Sequence, residues 1–214
     1  MSDTIRKGNL IIVSGPSGAG KSALVTGVLQ SMTRIRFSVS FTTRPPRGTE
    51  RDGVEYFFVD REKFHALIQE DAFLEWAEVH DNFYGTSREI VDDLLAKGDD
   101  VILDIDVQGA QTIRTKRPDM VSVFVLPPSF KVLRERLERR SLDEGLVIQQ
   151  RLKRACNEIR CYKEYDYLIV NEVLDDSIRE LEAIITGNRC RIASRMESAR
   201  SVLETFGGMD AENP

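Results

Sequence analysis

Gly15-Pro16-Ser17-Gly18-Ala19-Gly20-Lys21-Ser22 stands close behind the apolar run Leu10-Ile11-Ile12-Val13 and ahead of Leu24, Val25, Val28 and Leu29, a stripe with helical spacing. The order is strand, loop, helix, and the loop matches G-x-x-x-x-G-K-[ST]. Glycines let successive amide N–H groups turn inward towards phosphate oxygens at the positive end of a helix. Lys21 adds a full charge for the β- and γ-phosphates. Ser22 offers a hydroxyl to a Mg²⁺ ion, so the expected ligand is ATP or GTP with Mg²⁺ as cofactor.

Around this loop the chain of 214 residues, 41% hydrophobic and 30% charged, reads as one domain large enough to bury a core. A net charge of −5 argues against a nucleic-acid or anionic-membrane partner. No run reaches membrane-spanning length and Met1-Ser2-Asp3-Thr4 begins no secretory signal, so the expected location is the cytoplasm. Cys156, Cys161 and Cys190 have neither disulfide nor zinc spacing, and His65 and His80 are too far apart for a metal pair.

Strands are expected at Asn9 to Ser14, Val101 to Asp106, Val121 to Leu126 and Tyr167 to Val170, with helices between them. Continuous apolar strands alternating with amphipathic helices predict a parallel sheet covered on both faces, an α/β fold. From Ile35 to about Tyr84 the alternation gives way to short β-rich runs, Ile35 to Ser40, Val54 to Val59 and Ala72 to Val79. One helix interrupts them, beginning near Asp60 and carrying Phe64, Leu67 and Ile68. This interval reads as an inserted subdomain. Thr86-Ser87-Arg88-Glu89 has the form of a capping box for a helix ended by Gly98. After Pro127-Pro128, Ser129 caps a helix through Val132, Leu133, Arg136 and Leu137. A polar break from Arg139 to Gly145 precedes a second helical stripe, as in a mobile flap. A last helix is expected over Asp175 to Met196, with a frayed end at Gly207 to Pro214.

Inside the inserted interval Arg44-Pro45-Pro46-Arg47 holds two guanidinium forks on a proline-stiffened loop, suited to the oxygens of a phosphate monoester, although a solvated charged turn has the same composition. Glu75 lies in Phe73-Leu74-Glu75-Trp76. A carboxylate accepts the adjacent N1–H and amine donors of guanine together, whereas adenine presents an acceptor at N1. Alternation with Leu74 and Trp76 by itself favours an outward-facing residue.

Taken with the loop, with Asn82-Phe83-Tyr84-Gly85-Thr86 and with Ile102-Leu103-Asp104-Ile105-Asp106-Val107-Gln108-Gly109-Ala110, the chain resembles the bacterial guanylate kinases from about Gly8 to Met196. The resemblance implies a P-loop nucleoside-monophosphate-kinase fold and transfer of the γ-phosphoryl of ATP to GMP, and dGMP, giving ADP and GDP. It implies a core over about 5–36, 92–128 and 160–200, a GMP-binding subdomain over 37–91 and a lid over 129–159. It assigns Arg44, Arg47, Tyr56 and Tyr84 to the GMP phosphate and Ser40, Glu75 and Thr86 to the base. Asp104 and Asp106 join the GMP-binding set, near the base and the magnesium water shell. It gives the ATP side Gly15 to Ser22, Arg136 and Asn171, the last near adenine, with Lys21, Arg47, Arg140 and Arg151 acting in catalysis. The lid departs from the family pattern, reading Arg139-Arg140-Ser141-Leu142-Asp143-Glu144-Gly145. Oligomeric state is left open. A kinase for another nucleoside or ribosyl phosphate, or a non-catalytic interaction module of the same fold, are the rival readings. Glu75 with Ser40 and Thr86 opposes the first, and intact Lys21 and Ser22 oppose the second.

Overall fold

β1 (Leu10–Ser14) is buried along its whole length because a parallel neighbour lies on each side of it, β7 (Asp100–Asp104) and β8 (Val121–Leu126). The computed structural model describes residues 6–79, 81–140 and 145–206. The 141–144 part of the polar break, the end at 207–214 and the side chain of Arg140 lie outside that description.

Alternate residues of β1 serve opposite faces of the sheet. Ile11 and Val13 pack with Leu24, Val25 and Val28 of α1 (Lys21–Ser31) and with Leu181 and Ile185 of α7 (Leu174–Arg189). Leu10 and Ile12 pack with Val91 and Leu95 of α3 (Arg88–Ala96) and with Ala110 and Ile113 of α4 (Val107–Lys116). Each Val, Leu or Ile among them contributes about 1.5–3 kcal/mol by leaving water. The five parallel strands run β2-β7-β1-β8-β9, where β2 is Ile35–Phe37 and β9 is Tyr167–Val170.

Three expectations change here. Ile35–Phe37 is an edge strand of this sheet, pairing with β7 and not with the β-rich interval that follows it. β7 stops at Asp104, and Asp106 is the N-cap of α4, its carboxylate accepting the Gly109 N–H at 2.8 Å. β9 is covered on one face only, with Ile169 buried and Tyr167, Leu168 and Val170 exposed, as suits the outer edge of the sheet.

A second sheet of four strands has the order β4-β3-β6-β5. β3 (Phe41–Thr42) and β4 (Phe57–Phe58) are parallel, while β5 (Phe73–Val79) and β6 (Asn82–Ser87) form an antiparallel hairpin. It packs Phe73 and Phe83 on Phe64 of α2 (Arg61–Gln69), whose N-cap is Asp60 as expected. α3 is capped by Ser87, one residue later than the capping-box reading, which leaves Thr86 in β6.

The paired helices of the flap are α5 (Phe130–Arg140) and α6 (Gly145–Glu158), joined through Leu133, Leu137, Leu152 and Ala155. Ser129 accepts the Val132 N–H as the cap of α5. The expected last helix is two, α7 and α8 (Ile192–Glu204), with extended backbone at Arg191 between them. Among the described residues no helix is long and apolar enough to cross a membrane.

Candidate active site

The loop from Gly15 to Gly20 opens at the C-terminal end of β1, where the first turn of α1 presents its free N–H groups. Two glycines are dictated by neighbours. At Gly15, φ is 142° and a Cβ would come within 2.3 Å of the Val125 carbonyl. At Gly20, φ is 94° and a Cβ would lie 2.2 Å from the Asn171 amide nitrogen.

Lys21 folds over the loop, its Nζ donating to the Gly15 carbonyl at 2.8 Å and standing 3.8 Å from Asp104. Ser22 donates its hydroxyl to Asp104 at 3.0 Å. Asp104 is therefore gathered with the phosphate loop and not with the residues expected to read the base. Among the described residues no cluster of three or more His, Cys, Asp and Glu side chains offers a self-contained metal site.

On the other side of the loop, Asn171 is buried and donates its side-chain amide to the Ala19 carbonyl at 2.8 Å. Arg136 reaches the Ala19 carbonyl at 3.4 Å and the Asn171 carbonyl at 3.2 Å. Both residues grip the loop from behind.

Across the cleft the four residues expected at the GMP phosphate fall in one region. Arg44 lies over the Tyr56 ring, 4.9 Å from its centroid, and the Tyr56 and Tyr84 rings are 6.0 Å apart. Arg47 is exposed. The structure adds Glu50, which sequence reading missed. Its carboxylate takes both Arg44 nitrogens at 2.7 Å and the Arg47 N–H at 2.8 Å. The guanidinium beside it draws the Glu50 carboxyl down to about 2, and the same bonds push Arg44 up. Gly48, at φ 55°, turns the chain so that Glu50 folds back on Arg44. That turn was the available signal.

Glu75 is buried because β5 does not alternate where it meets β6. The register shifts between Phe73 and Glu75, and Phe73, Leu74 and Glu75 are all buried in succession. Leu74 joins the core of the parallel sheet, Phe73 joins the aromatic core, and Lys116 of α4 donates to the Phe73 carbonyl at 3.0 Å. The bulge re-aims Glu75 inward, against the outward reading. Its carboxylate accepts the Thr86 hydroxyl at 2.6 Å. Burial pushes the Glu75 carboxyl up, the Thr86 bond opposes this, and nearby Asp106 adds to the rise. The backbone of Ser40 meets the same sheet, its carbonyl accepting the Phe57 N–H.

Two cavities with Arg154 and Glu158 in common lie along α6. One of about 590 Å³ lies between the β5–β6 hairpin, the start of α4 and α6, and is lined by Glu78, Asp106, Gln108, Arg154 and Glu158 among others. The second, about 510 Å³, is lined by Ser17, Leu137, Arg151, Arg154 and Glu158, above the phosphate loop. Arg151 and Arg154 thus share the cleft.

The guanylate kinase family model matches residues 7–188. A guanylate kinase of Alkalilimnicola ehrlichii is 51% identical over 86% of this chain and 91% of its own length. One from Hahella chejuensis is 50% identical over 97% of this chain and 99% of its own. The crystal structure of guanylate kinase from Anaplasma phagocytophilum superposes with a TM-score of 0.72 at 34% identity, covering 94% of this chain and 95% of that one. With a match of this extent falling across both sides of the cleft, the chain belongs to the guanylate kinase family.

Proposed function

We propose that the cleft performs its transfer with the residues gathered on its two sides. The chain is an ATP:GMP phosphotransferase of purine nucleotide metabolism, passing the γ-phosphoryl of ATP to GMP and yielding ADP and GDP. Gly15, Pro16, Ser17, Gly18, Ala19 and Gly20 cradle the ATP phosphates with backbone N–H groups, Lys21 supplies charge, and Arg136 and Asn171 fix the loop. Arg44, Arg47, Tyr56 and Tyr84 hold the GMP phosphate, while Ser40, Glu75 and Thr86, with Asp106 nearby, face guanine. The observation that carries the guanine reading is the buried Glu75 carboxylate, aimed inward by the bulge and held by the Thr86 hydroxyl.

An oxygen of the GMP phosphate is itself the nucleophile. It bonds to the γ-phosphorus as the bond to the bridging oxygen of ADP breaks, so no general base is needed and the protein contributes position and charge. Lys21, Arg47, Arg140 and Arg151 stabilise the charge on the transferring group. Ser22 and Asp104, hard oxygen donors already in contact, would suit a Mg²⁺ ion arriving with ATP, whose charge would offset that of the phosphates. The division into a core of 5–36, 92–128 and 160–200, a GMP-binding subdomain of 37–91 and a lid of 129–159 follows the same reading. Use of dGMP, residence in the cytoplasm and independence from nucleic acid and membrane complete it.

ADP release measured with GMP, AMP, CMP and UMP as acceptors should be confined to GMP. Glu75→Gln removes one of two acceptors and should lower kcat/KM for GMP on the order of 10²-fold while leaving ATP binding intact. Unchanged GMP kinetics in a folded variant would remove Glu75 from the base site.

A further inference from the structure

Gly109, Ile113 and Lys116 of α4 stand at i, i+4 and i+7, one helical face, and that face lies along the part of β5 in which the register shifts. A Cβ on Gly109 would come within 3.3 Å of Glu75 Oε2, so the bare glycine leaves the carboxylate its place. Ile113 shares the core of the parallel sheet with Leu74, the residue between Phe73 and Glu75. Lys116 ends the helix and donates its ammonium to the Phe73 carbonyl at 3.0 Å and to Asp71 at 3.2 Å. Asp71, at φ 50°, makes the turn between α2 and β5, and its other carboxylate oxygen accepts Arg88 of α3 at 2.6 Å. The ammonium is thereby held where the bulge begins.

We propose that Lys116 is a positioning residue for acceptor recognition: by pinning the Phe73 carbonyl it holds the bulge in place and so keeps the Glu75 carboxylate turned towards the base. The inference rests on the reading of Glu75 given above. Side chains alternate along a regular strand, and a shift of one residue sends each of them to the opposite face. Glu75 therefore faces inward only while the bulge stays between Phe73 and Glu75. Leu74 anchors the bulge by burial, a force without direction. The Lys116 bond supplies direction, because a hydrogen bond weakens steeply once donor and acceptor are misaligned. A charged donor on a part-buried carbonyl is also among the stronger bonds of its kind. Lys116 thus acts on guanine only through the backbone of β5.

The test compares kcat/KM for GMP with kcat/KM for IMP, whose base keeps the N1–H but lacks the exocyclic amine. It is run on the wild type, Lys116→Met, Lys116→Arg, Glu75→Gln and the double variant of Lys116→Met with Glu75→Gln. A ratio of two acceptors on one sample does not depend on how much of that sample is folded, so lost stability alone leaves it unmoved. Lys116→Met should lower the GMP-to-IMP ratio roughly tenfold, since two bonds to the base are loosened for GMP and one for IMP, with the KM for ATP little changed. Lys116→Arg, which still offers donors to the carbonyl, should keep the wild-type ratio. Because both residues act on the same contact, Lys116→Met should shift the ratio no further once Glu75→Gln is present. An unchanged ratio in Lys116→Met, or a shift that simply adds to that of Glu75→Gln, would overturn the proposal. If Glu75→Gln itself leaves the ratio unchanged, the base-site reading falls, whereas a ratio that collapses in Glu75→Gln but holds in Lys116→Met condemns the pin alone.

Discussion

Asn171 shows what a single residue does that its neighbours in sequence do not announce. Expected beside adenine, its side-chain amide is buried on the Ala19 carbonyl, a contact spanning 152 positions. Asn171→Ala leaves that carbonyl with only the longer bond from Arg136, at a cost of about 1 kcal/mol. Because the cost falls on the loop, steady-state kinetics should show the KM for ATP rising on the order of tenfold with the KM for GMP little moved. Equal rises in both would mean a general loss of structure. Glu75 gives the complementary lesson. Its residue type pointed to guanine, but its inward direction depends on a bulge between Phe73 and Glu75 that strand periodicity does not encode. Glu50 went unread because a carboxylate in a polar loop looks solvated until Gly48 turns it back on Arg44.

Among elements, those fixed by local chemistry were legible: the strand, loop and helix around Lys21, and the caps at Asp60 and Ser129. The break between α7 and α8 was not, because tertiary contacts make it. Arg189 at the end of α7 donates to buried Asp100 at 2.6 Å and to the Thr33 and Arg34 carbonyls ahead of β2. Asp100 also accepts Arg6 through two bonds of 2.8 Å and the Asn9 N–H, so one carboxylate ties the N-terminal segment, β2, β7 and α7. Burial would raise its pKa, but the hydrogen bonds from Arg6, Asn9 and Arg189 outweigh burial and hold it below the ordinary value. With the folded pKa depressed, the unfolded chain binds that proton more tightly. The stabilisation is therefore full above the unfolded value, about 3.9, and is lost as pH falls through the folded value. Denaturant unfolding of Asp100→Asn should show a loss of about 3 kcal/mol at neutral pH. The gap to wild type should close below pH ~4, and a constant gap would exclude the carboxylate's charge as the cause.

At the scale of the whole molecule, the alternating pattern fixed the parallel sheet and the interrupted pattern fixed the insertion. Where the flap rests relative to the loop is a tertiary matter that no periodicity carries. Arg154 illustrates it: one of several arginines on the flap helices, it lines the cleft beside Arg151. Arg151→Ala should lower kcat by ~10³-fold, as for arginines that meet a transferring phosphoryl group, with less effect on the KM for GMP. Arg134 is the suitable comparison, since it is exposed and paired on its own helix with Glu138 at 2.8 Å. Such a surface pair is worth under about 1 kcal/mol, so Arg134→Ala should retain near wild-type turnover. Equal small losses at both positions, read by the same assay, would take Arg151 out of the chemistry.

The four-stranded sheet hangs between Phe37, where β2 leaves the parallel sheet, and Arg88, where α3 begins, and it closes an aromatic core of its own around Phe64, Phe73 and Phe83. For heredity this is a partition. If the cleft works as proposed, substitutions between 41 and 87 bear mainly on the acceptor while the residues proposed for ATP lie outside that segment, so a descendant with a new substrate need not reinvent the transfer. The partition is crossed at Leu74, whose side chain is buried in the core of the other sheet, and at Asp71 and Phe73, which accept bonds from Lys116 of α4. Selection for a new acceptor would be felt by the rest of the enzyme at these crossings, and at Leu74 through the packing of the other sheet.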